Sequence, residues 1–313
     1  MAPAKISGAP TITAFLRSGL GNQLFIYAAA RAFADKTGAN LRLDSAFFRT
    51  DRVYRRRYQL DRFNIRAESF APDTGALRAY LRLLRSKLLR EHVHLPWPSL
   101  RVERNPCRYQ PFPETHRSFA IDGYWQSEKY FADDFENIFN DLSLCDESIL
   151  TGIPSPYDEI QAAGNSVFLH MRSYADIPGK QDFSAALPVE YARNAIKHMR
   201  SHLAEFTLFV FSDDIAWASH VLEREKRNGL RMVFIEPQNH FAGDAAALRD
   251  FHLMTLCSHG ICANSSFSWW ANRLGEHRCA KAGKKSIRIH PAIKWSNEDF
   301  WPDRWVGLPI VGN

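Results

Sequence analysis

Residues 11–44 read TITAFLRSGLGNQLFIYAAARAFADKTGANLRLD, and this stretch decides the fold class. Its first six residues are mostly apolar, as in a short buried strand, and a glycine-containing turn follows them. The Ala- and Phe-rich run from Leu24 to about Asp35 then predicts a helix that ends near Gly38. Leu41–Asp44 predicts the next strand. A strand, a helix and a strand in this order are typical of a parallel sheet in an α/β fold.

The same alternation returns in the second half of the chain, after a Pro-containing segment at Thr151–Pro156 that is the best candidate linker. It predicts strands at Ser166–Met171, Phe206–Phe211, Arg231–Glu236, Gly260–Ala263 and Ser286–Ile289. It also predicts helices at Pro188–His202, Ile215–Arg227, Ala245–Cys257 and Phe267–Gly275. We therefore expect two α/β domains, residues 1–150 and residues 151–313.

The positive charge of the chain is concentrated in one region. The 313 residues carry a formal charge of +6, and Arg49–Arg108 alone contains fifteen Lys or Arg against six Asp or Glu. Within it, Gly75–Glu91 predicts an amphipathic helix, so we expect a basic helical insertion in the N-terminal domain. Such a surface could face an acidic glycan or an anionic membrane, or it could be a solvated helix face without a partner.

Composition and cysteine usage exclude several classes of protein. A chain that is 45% hydrophobic can bury a core, which argues against disorder, and no apolar run approaches the ~18–20 residues that span a bilayer. Five cysteines without a Cys-x-x-Cys pair favour reduced, buried thiols over disulfides or a zinc site. We expect a cytoplasmic protein, with peripheral contact to the inner face of the membrane as an open alternative.

Polar residues follow most of the predicted strands at their carboxyl ends, where open parallel sheets bind ligands. They are Gly19–Gln23 after the first strand, His170, Arg172 and Asp176 around the end of the next, then Asp213, Asp214, Glu236 and Asn264–Ser266. The strands themselves are apolar. This pattern predicts a ligand crevice at the carboxyl edge of the sheet.

The glycine segment Gly19-Leu-Gly-Asn-Gln-Leu24 departs from the dinucleotide-binding pattern, because Leu24 stands where the third glycine is required. We therefore do not expect a nicotinamide cofactor. A tight turn at the start of a packed helix explains the glycines as well. Both interpretations are compatible with a phosphate or a sugar near the helix N-terminus.

Charged residues after two of the strands have structural alternatives to ligand binding. Arg172 offers a planar, permanently charged fork that suits a diphosphate, but it could instead pair with Asp176 or Asp213. Asp213 and Asp214 could suggest a metal site, yet adjacent side chains diverge in an extended chain. No further oxygen ligands cluster nearby, so we expect no metal. Asp214 is predicted to cap the next helix, which leaves Asp213 free for a base or a ribose.

The segment Asn264-Ser-Ser-Phe-Ser-Trp-Trp-Ala-Asn272 places hydroxyl and amide groups at the start of a predicted helix. Backbone N–H groups and serine hydroxyls at such a start form a ready anion site. Plain capping by Asn264 or Ser265, with the aromatic residues in the core, is the structural alternative. The two roles are compatible.

Four motifs occur in a recognisable order and spacing. They are Gly19-Leu-Gly-Asn-Gln-Leu-Phe25, His170-Met-Arg172, Phe211-Ser-Asp-Asp214 and Asn264-Ser-Ser-Phe-Ser-Trp-Trp270. Together they resemble the α-1,2-fucosyltransferase family, glycosyltransferase family 11, from near residue 11 to about residue 275, and the Trp- and Pro-rich tail at Trp295–Trp305 is also similar. The resemblance implies a GT-B-like fold, in which two Rossmann-like α/β domains face each other with their parallel sheets across a cleft.

The resemblance further implies metal-independent transfer of fucose from GDP-fucose to the 2-hydroxyl of a galactose-type acceptor, with inversion. The N-terminal domain would be the acceptor side, and the C-terminal domain would bind the nucleotide sugar. Arg172 would contact the donor β-phosphate, His170 the nucleotide and Asp213 the guanosine. The donor site would also include Gly21, Gln23, Asn264, Ser265, Ser266 and Phe267. Asn22 and Gln23 would reach the transferred sugar or the acceptor.

One motif departs from the family. The usual His-x-Arg-Arg-x-Asp is replaced by His-Met-Arg-Ser-Tyr-Ala-Asp over residues 170–176, so Ser173 stands for the second arginine and Asp176 comes one residue late. Arg172, Asp176 and Asn22 are the catalytic candidates that the resemblance leaves. The departure leaves the general base open, and it allows a different acceptor or sugar donor.

Two other functions remain open from the residues. One is a related glycosyltransferase that uses another nucleotide sugar on the same scaffold. The other, from a different class, is a non-catalytic protein that binds an anionic polymer through Arg49–Arg108. No nucleic-acid-binding motif accompanies these arginines, so we do not expect nucleic acid as the partner.

Overall fold

The computed structural model describes residues 8–52, 54–71, 100–103, 108–145, 154–174, 186–236, 244–293 and 298–310. By its internal contacts the chain divides into two units. The first consists of Met1–Ser18 and Gln23–Ser143, and the second of Gly19–Asn22 and Leu144–Asn313. The predicted boundary between residues 150 and 151 lies outside the described residues.

The first unit contains a five-stranded sheet in the order β3-β2-β1-β5-β4, with every pairing parallel. Its strands are β1 (Thr11–Phe15), β2 (Asn40–Asp44), β3 (Glu68–Phe70), β4 (Leu100–Val102) and β5 (Phe119–Asp122). Its α-helices are α1 (Leu20–Thr37) and α2 (Phe135–Asp141), and 3₁₀ turns lie at Ala46–Arg49, Leu60–Arg62, Glu128–Tyr130 and Ala132–Asp134. The predicted strand–helix–strand opening is therefore present.

Helix α1 begins earlier than the sequence predicts. The prediction starts it at Leu24, whereas it begins at Leu20, so that most of the glycine segment forms the first helical turn. Glycine lowers helix propensity, which is why the pattern places the start too late. Its middle turns, from Leu24 to Ala30, are completely buried.

The second unit contains a six-stranded sheet in the order β11-β10-β9-β6-β7-β8, again with parallel pairing throughout. Its strands are β6 (Ser166–Met171), β7 (Thr207–Ser212), β8 (Met232–Phe234), β9 (His259–Ile261), β10 (Arg288–Ala292) and β11 (Val306–Pro309). Its helices are α3 (Pro154–Ala162), α4 (Val189–His202), α5 (Ile215–Val221), α6 (Glu223–Arg227), α7 (Asp244–Leu256) and α8 (Ser266–Lys281). Apolar side chains of β6, β7 and α4 form its core. A chain that alternates strands and helices in this way buries both faces of a parallel sheet.

Two helix boundaries in the second unit correct the sequence prediction. The predicted linker Thr151–Pro156 overlaps α3, because prolines fit a first helical turn, where no N–H partner is needed. Helix α8 continues past Gly275, where the prediction ends it, to Lys281. A β-carbon at Gly275 would lie 3.1 Å from both the Arg288 side chain and the Thr255 carbonyl, so this glycine serves close packing rather than helix termination.

The described cysteines are free thiols and fit the expectation of reduced cysteines. Cys257, Cys262 and Cys279 are buried, and Cys145 is exposed. Burial raises the pKa of the Cys257 and Cys262 thiols, which makes both of them unreactive. Cys107 lies outside the described residues.

Candidate active site

Most of the predicted donor residues stand at one edge of the six-stranded sheet. The chain leaves β6 toward β7 and β8 on one side, and it then returns to add β9, β10 and β11 on the other. The succession of strands therefore reverses between β6 and β9, and open parallel sheets bind ligands outside the carboxyl ends at such a point. Arg172 follows β6 and Asn264 follows β9, so these two predicted residues flank the crevice.

Arg172 is fixed to a neighbouring strand end by an ion pair. Its Nη1 lies 2.8 Å from Oδ2 of Asp213, which directly follows β7. The Arg172 side chain retains 20% of its exposure, so it is in reach of a ligand. Pairing with Asp213 was one of the two structural alternatives for this arginine. A guanidinium carries five N–H donors, so this pair alone does not use up its capacity to bind an anion.

Asp213 is not the free carboxylate that the sequence predicts. Its Oδ1 accepts the backbone N–H of Ser173 at 2.7 Å, and its Oδ2 accepts the Ser173 hydroxyl and the Tyr174 N–H, both at 2.9 Å. With Arg172 these donors fill the lone-pair positions of one carboxylate. The cause is the course of residues 172–174, which bend over the end of β7. Asp213 therefore holds the residues that follow β6, and its contact with guanosine stays a prediction.

Tyr174 is part of this edge, although the sequence reasoning did not select it. Its backbone N–H is held by Asp213, and its hydroxyl donates to the carbonyl of Asn264 at 3.2 Å. Its ring centre lies 5.3 Å from the guanidinium carbon of Arg172, a cation–π distance. Only the position of Tyr174 three residues after a buried strand could have indicated its role, and that signal does not separate it from its neighbours.

His170, at the end of β6, is a neutral imidazole. Burial, and then the nearby charge of Arg172, lower its pKa from 6.5 to about 3. Its Nδ1 is buried and has no hydrogen-bond partner among the described residues. Buried ring nitrogens normally have a partner, so this one is placed to receive a hydrogen bond from a ligand or to donate one. Its ring lies 5.7 Å from that of Phe267, another predicted donor residue.

An open pocket lies along the same edge. His170, Arg172, Tyr174 and Asn264 contribute its polar lining. The remaining walls are mostly apolar and aromatic, and they come from Leu169, Met171, Leu187, Pro188, Val189, Tyr191, Ala192, Trp217 and Ala263. An apolar pocket with a few convergent polar groups is typical of a small-molecule site.

The start of α8 contributes a helix N-terminus to the crevice. Ser265 is the N-cap, and its hydroxyl accepts the backbone N–H of Phe267 at 3.2 Å. The capping role is therefore present, and the partial positive charge of the first turn remains available to an anion. The Phe267 ring packs on Phe251 at 5.3 Å, which fixes the first turn of the helix. Asn264 and Ser266 flank the cap in the sequence, and their contact with a diphosphate stays a prediction.

The glycine segment meets this helix start directly. Gly21 belongs by its contacts to the second unit, and a β-carbon on it would overlap the backbone of Ser266 and Phe267. The first turn of α1 can approach the first turn of α8 this closely only because Gly21 has no side chain. The structure thus brings together two motifs that are more than two hundred residues apart in the sequence.

Gln23 has a structural role in the first unit. Its side chain is completely buried, its amide nitrogen donates to the carbonyls of Ser18 at 3.0 Å and Arg57 at 2.8 Å, and its amide oxygen accepts the N–H of Gln59 at 3.0 Å. An amide engaged in this way has no exposed face for a sugar. The expectation that Gln23 reaches the donor therefore finds no support in its environment. Its neighbour Asn22 is half-buried.

The five-stranded sheet has its own polar edge, which the sequence reasoning missed. Its strand succession reverses between β1 and β5, and Arg17, which follows β1, forms an ion pair there with Asp122 at the end of β5. Beside them, Glu103 accepts the backbone N–H groups of Tyr124 at 2.7 Å and Trp125 at 3.0 Å. Burial raises the pKa of Glu103 against the effect of these bonds.

The sequence profile of glycosyl transferase family 11 matches residues 11–308, which is nearly the whole chain. The chain belongs to glycosyl transferase family 11. The family resemblance is thereby confirmed, and the family 11 chain is a glycosyltransferase.

Two curated relatives come from Escherichia coli. The O-antigen biosynthesis glycosyltransferase WbnK is 27% identical over 94% of this chain and 99% of its own length. An α-1,2-colitosyltransferase is 24% identical over 95% of this chain and 98% of its own length. The family 11 chain therefore matches both relatives over most of its own length and nearly all of theirs.

Solved structures share the fold of the family 11 chain. A variant of Arabidopsis thaliana FUT1 in complex with GDP has a TM-score of 0.56 at 14% identity, and the match covers 94% of this chain and 73% of that one. The fucosyltransferase NodZ from Bradyrhizobium has a TM-score of 0.51 at 16% identity, over 86% of this chain and 93% of that one. Together with the two parallel sheets, these likenesses confirm the prediction of a GT-B-like α/β fold.

Three further sequence predictions concern Asp176, Asp214 and the absence of a metal site. Asp176, the late aspartate of the altered motif, lies outside the described residues. Asp214 caps α5 as predicted, because its Oδ1 accepts the N–H of Trp217 at 2.9 Å. Within the described ranges, no group of three or more His, Cys, Asp or Glu side chains converges as metal ligands do.

The basic stretch Arg49–Arg108 is largely outside the described residues, including the predicted helix Gly75–Glu91. Of its described part, Arg55 and Arg57 are exposed beside Tyr54, which is 53% exposed. No helix among the described residues has the length and apolar character that crossing a membrane requires.

Proposed function

We propose that this family 11 glycosyltransferase transfers fucose from GDP-fucose to the 2-hydroxyl of a galactose-type glycan, with inversion at the fucosyl carbon. The observation that carries the proposal is the convergence of Arg172, the start of α8 and the unpartnered Nδ1 of His170 at the β6/β9 reversal. A permanent cation, a helix N-terminus and a buried imidazole beside an apolar pocket together suit a nucleoside diphosphate.

The chemistry requires this edge to stabilise negative charge. In a single displacement, the sugar carbon becomes positive in the transition state while negative charge develops on the leaving GDP. Arg172 and the first-turn N–H groups of α8 are placed to stabilise that charge, because they are fixed before the reaction starts. His170 remains neutral at physiological pH, so it can bind a base or a phosphate oxygen without a change in charge.

Metal independence is part of the proposal, and it rests on how the Asp213-Asp214 pair is used. The Asp213 carboxylate is engaged by Arg172, Ser173 and Tyr174, and the Asp214 carboxylate caps α5. A metal bridging the diphosphate would have to displace these donors. We propose that Arg172 takes over the charge neutralisation, and that Asn22 or Asp176 helps to position the acceptor hydroxyl or receive its proton.

A second candidate donor is GDP-colitose, since one relative is an α-1,2-colitosyltransferase. Its name shares the α-1,2 linkage with the proposed reaction and differs from it in the sugar. This candidate is one specific case of the alternative that the sequence leaves open, a related glycosyltransferase that uses another nucleotide sugar. Family membership favours either enzyme over a non-catalytic protein that binds an anionic polymer.

Thermal protection tests the nucleotide first. Because only the folded state binds GDP, GDP at one hundred times its dissociation constant should raise the free energy of unfolding by about 2.7 kcal/mol. GDP should protect it, whereas UDP and an oligonucleotide at equal concentration should not, and Arg172→Ala should remove the protection. Protection by UDP but not GDP would contradict the proposed donor.

Product analysis then tests the sugar and the linkage. The purified protein should transfer fucose from GDP-fucose to a galactose-terminated acceptor, and methylation analysis of the product should place the new bond on the 2-hydroxyl. Transfer that proceeds with GDP-colitose at a much higher rate would assign the second candidate. Addition of EDTA should leave the rate unchanged, and a loss of rate restored by a divalent cation would contradict metal independence.

A further inference from the structure

Tyr174 adopts a backbone conformation that its side chain disfavours. Its φ angle is +64°, in the left-handed region where glycine is the usual residue. A non-glycine residue in such a region costs of the order of 1 kcal/mol and persists where the surroundings hold it in place. Here Asp213 holds it, by accepting its backbone N–H at 2.9 Å.

The left-handed turn directs the Tyr174 side chain across the crevice. The residue belongs to the segment after β6, and its hydroxyl donates to the carbonyl of Asn264, in the segment after β9, at 3.2 Å. These are the two strands between which the succession of the sheet reverses. A single side chain therefore joins both walls of the candidate donor site.

The same side chain also restricts Arg172. Its ring lies 5.3 Å from the guanidinium carbon, while Asp213 holds the guanidinium from another direction at 2.8 Å. An arginine that is already ordered loses less side-chain entropy when it binds a ligand. The ring is uncharged, so it orders the cation without adding negative charge where a diphosphate would bind.

The hydrogen bond to Asn264 has a second electrostatic consequence. The Asn264 carbonyl lies just before the N-cap of α8, where its oxygen would repel an anion that approaches the helix start. A hydroxyl that donates to this oxygen compensates part of its negative charge. The contact thus favours an anion both at Arg172 and at the helix N-terminus.

We propose that Tyr174 is a positioning residue that braces the donor site, holding Arg172 and the Asn264 turn in the geometry that binds the diphosphate. The inference rests on the proposed nucleotide-sugar site and adds a residue to it. It assigns the unfavourable backbone angle of Tyr174 to ligand binding rather than to folding.

Two substitutions separate binding from folding. Tyr174→Phe removes only the hydroxyl, and we expect it to raise the dissociation constant of GDP about fivefold, the value of one hydrogen bond. Tyr174→Gly also removes the ring and relieves the backbone, and we expect a rise of about thirtyfold, since the cation–π contact and the ordering of Arg172 are lost as well. In both variants kcat/KM for the donor should fall by at least the same factor as GDP affinity, while the acceptor KM stays within twofold.

The melting temperature separates a role in binding from a purely structural role, because substitution of a purely structural residue would lower it. Tyr174→Gly should melt no lower than the wild type, because glycine adopts the left-handed angle without the steric cost of a β-carbon. Arg55→Gly is the matched control for this relief, since Arg55 is exposed, has a φ of +49° and lies in the first unit. Weaker GDP binding together with an unchanged or higher melting temperature supports the brace.

Several results would overturn the inference. They are GDP affinity within twofold of the wild type in both variants, tighter binding by Tyr174→Phe, or a melting temperature that falls together with affinity. Hydrogen exchange of the backbone amides at 262–266, measured in the ligand-free protein, tests the brace separately from the proposed donor. Faster exchange in the variants supports the brace even if the wild type does not bind GDP, and unchanged exchange counts against it.

Discussion

The two sheets of this protein have the same kind of reversal point and fill it differently. In the first unit, the Arg17–Asp122 ion pair joins the ends of β1 and β5 and so closes the reversal point itself. In the second unit, the Arg172–Asp213 pair lies between β6 and β7, one strand away from the β6/β9 reversal. There, a neutral hydrogen bond from Tyr174 to Asn264 crosses the crevice.

This difference shows that sheet topology offers a crevice but does not decide whether an anion can use it. An arginine neutralised across the crevice holds two strand ends together, and its partner Asp122 is only 3% exposed. Arg172 is paired with Asp213 on the side away from the reversal point. Its guanidinium therefore remains able to bind an anion next to the N-terminus of α8. We therefore expect the first pair to matter for stability and the second pair for binding.

Removal of Arg17 should give the largest effect. Arg17→Ala leaves the buried Asp122 carboxylate without its ion-pair partner, and we expect the free energy of unfolding to fall by about 3–5 kcal/mol, measured by urea denaturation. Addition of Asp122→Asn should recover part of this loss. Arg231→Ala, which breaks an exposed pair 3.9 Å long, is the control and should change stability by less than about 1 kcal/mol. Equal effects of the two arginine variants would contradict the structural role of Arg17.

Removal of Arg172 should affect the reaction instead. Arg172→Ala should lower kcat/KM by about 10²–10³, the usual loss for one donor that stabilises transition-state charge, with an unchanged circular dichroism spectrum. Arg172→Lys should recover only part of the rate, since it restores the charge without the fork. Arg227→Ala removes an exposed cation of the same unit and should leave turnover unaltered. Near-normal turnover of Arg172→Ala would remove this arginine from the donor site.

Gln23 and Asn22 are neighbours that should behave oppositely. Gln23→Ala removes a buried amide with three hydrogen bonds, so the free energy of unfolding should fall by about 2 kcal/mol while GDP affinity stays within twofold. Asn22→Ala should instead lower the transfer rate, since Asn22 is proposed to position the acceptor. Chemical denaturation and donor titration of both variants check this. A loss of GDP affinity in a stable Gln23→Ala protein would restore its predicted donor contact.

His170 in the second unit and Asp35 in the first unit should contribute to the pH dependence of stability with opposite signs. The pKa of His170 is lowered to about 3 in the folded protein, so the unfolded chain binds its proton more readily. Stability is therefore lost as the pH falls below about 6.5, by up to ~1.4 kcal/mol per pH unit. His170→Asn should reduce the loss measured between pH 7 and pH 5 by about 1–2 kcal/mol.

Asp35 in the first unit gives the opposite control. Burial raises its pKa to about 6, so the folded protein holds this proton more tightly and stability falls as the pH rises from about 4 through 6. Asp35→Asn should remove part of that fall. If both variants changed the pH dependence in the same direction, the contrast between these two groups would be wrong.

The sequence predicted those features that depend on local pattern. Apolar runs and helical periodicity predicted the alternation from Ser166 to Ile289, because each strand there lies in an apolar run between recognisable helical patterns. The rule that ligands bind at strand ends selects Arg172 and Asn264 from the sequence alone, and both flank the crevice. The three-residue strands β3 and β4 were missed, since no regular alternation of strands and helices surrounds them in the sequence.

What the sequence could not predict depends on contacts between distant residues. Gly275 looks like a helix end until Arg288 and Thr255 are found against it. The occupied carboxylate of Asp213 and the buried amide of Gln23 follow from partners that no spacing rule selects. Tyr174 was missed because a left-handed backbone angle on a non-glycine residue has no sequence signature.

The close approach of Gly21 to Ser266 has a consequence for how this chain can vary. A library with every codon at position 21 should return glycine alone among active clones, because even a methyl group would overlap the Ser266 backbone. Position 19 should accept alanine, since a β-carbon there meets nothing within 4 Å. Of the two glycines that look alike in the motif, only the second is under steric selection.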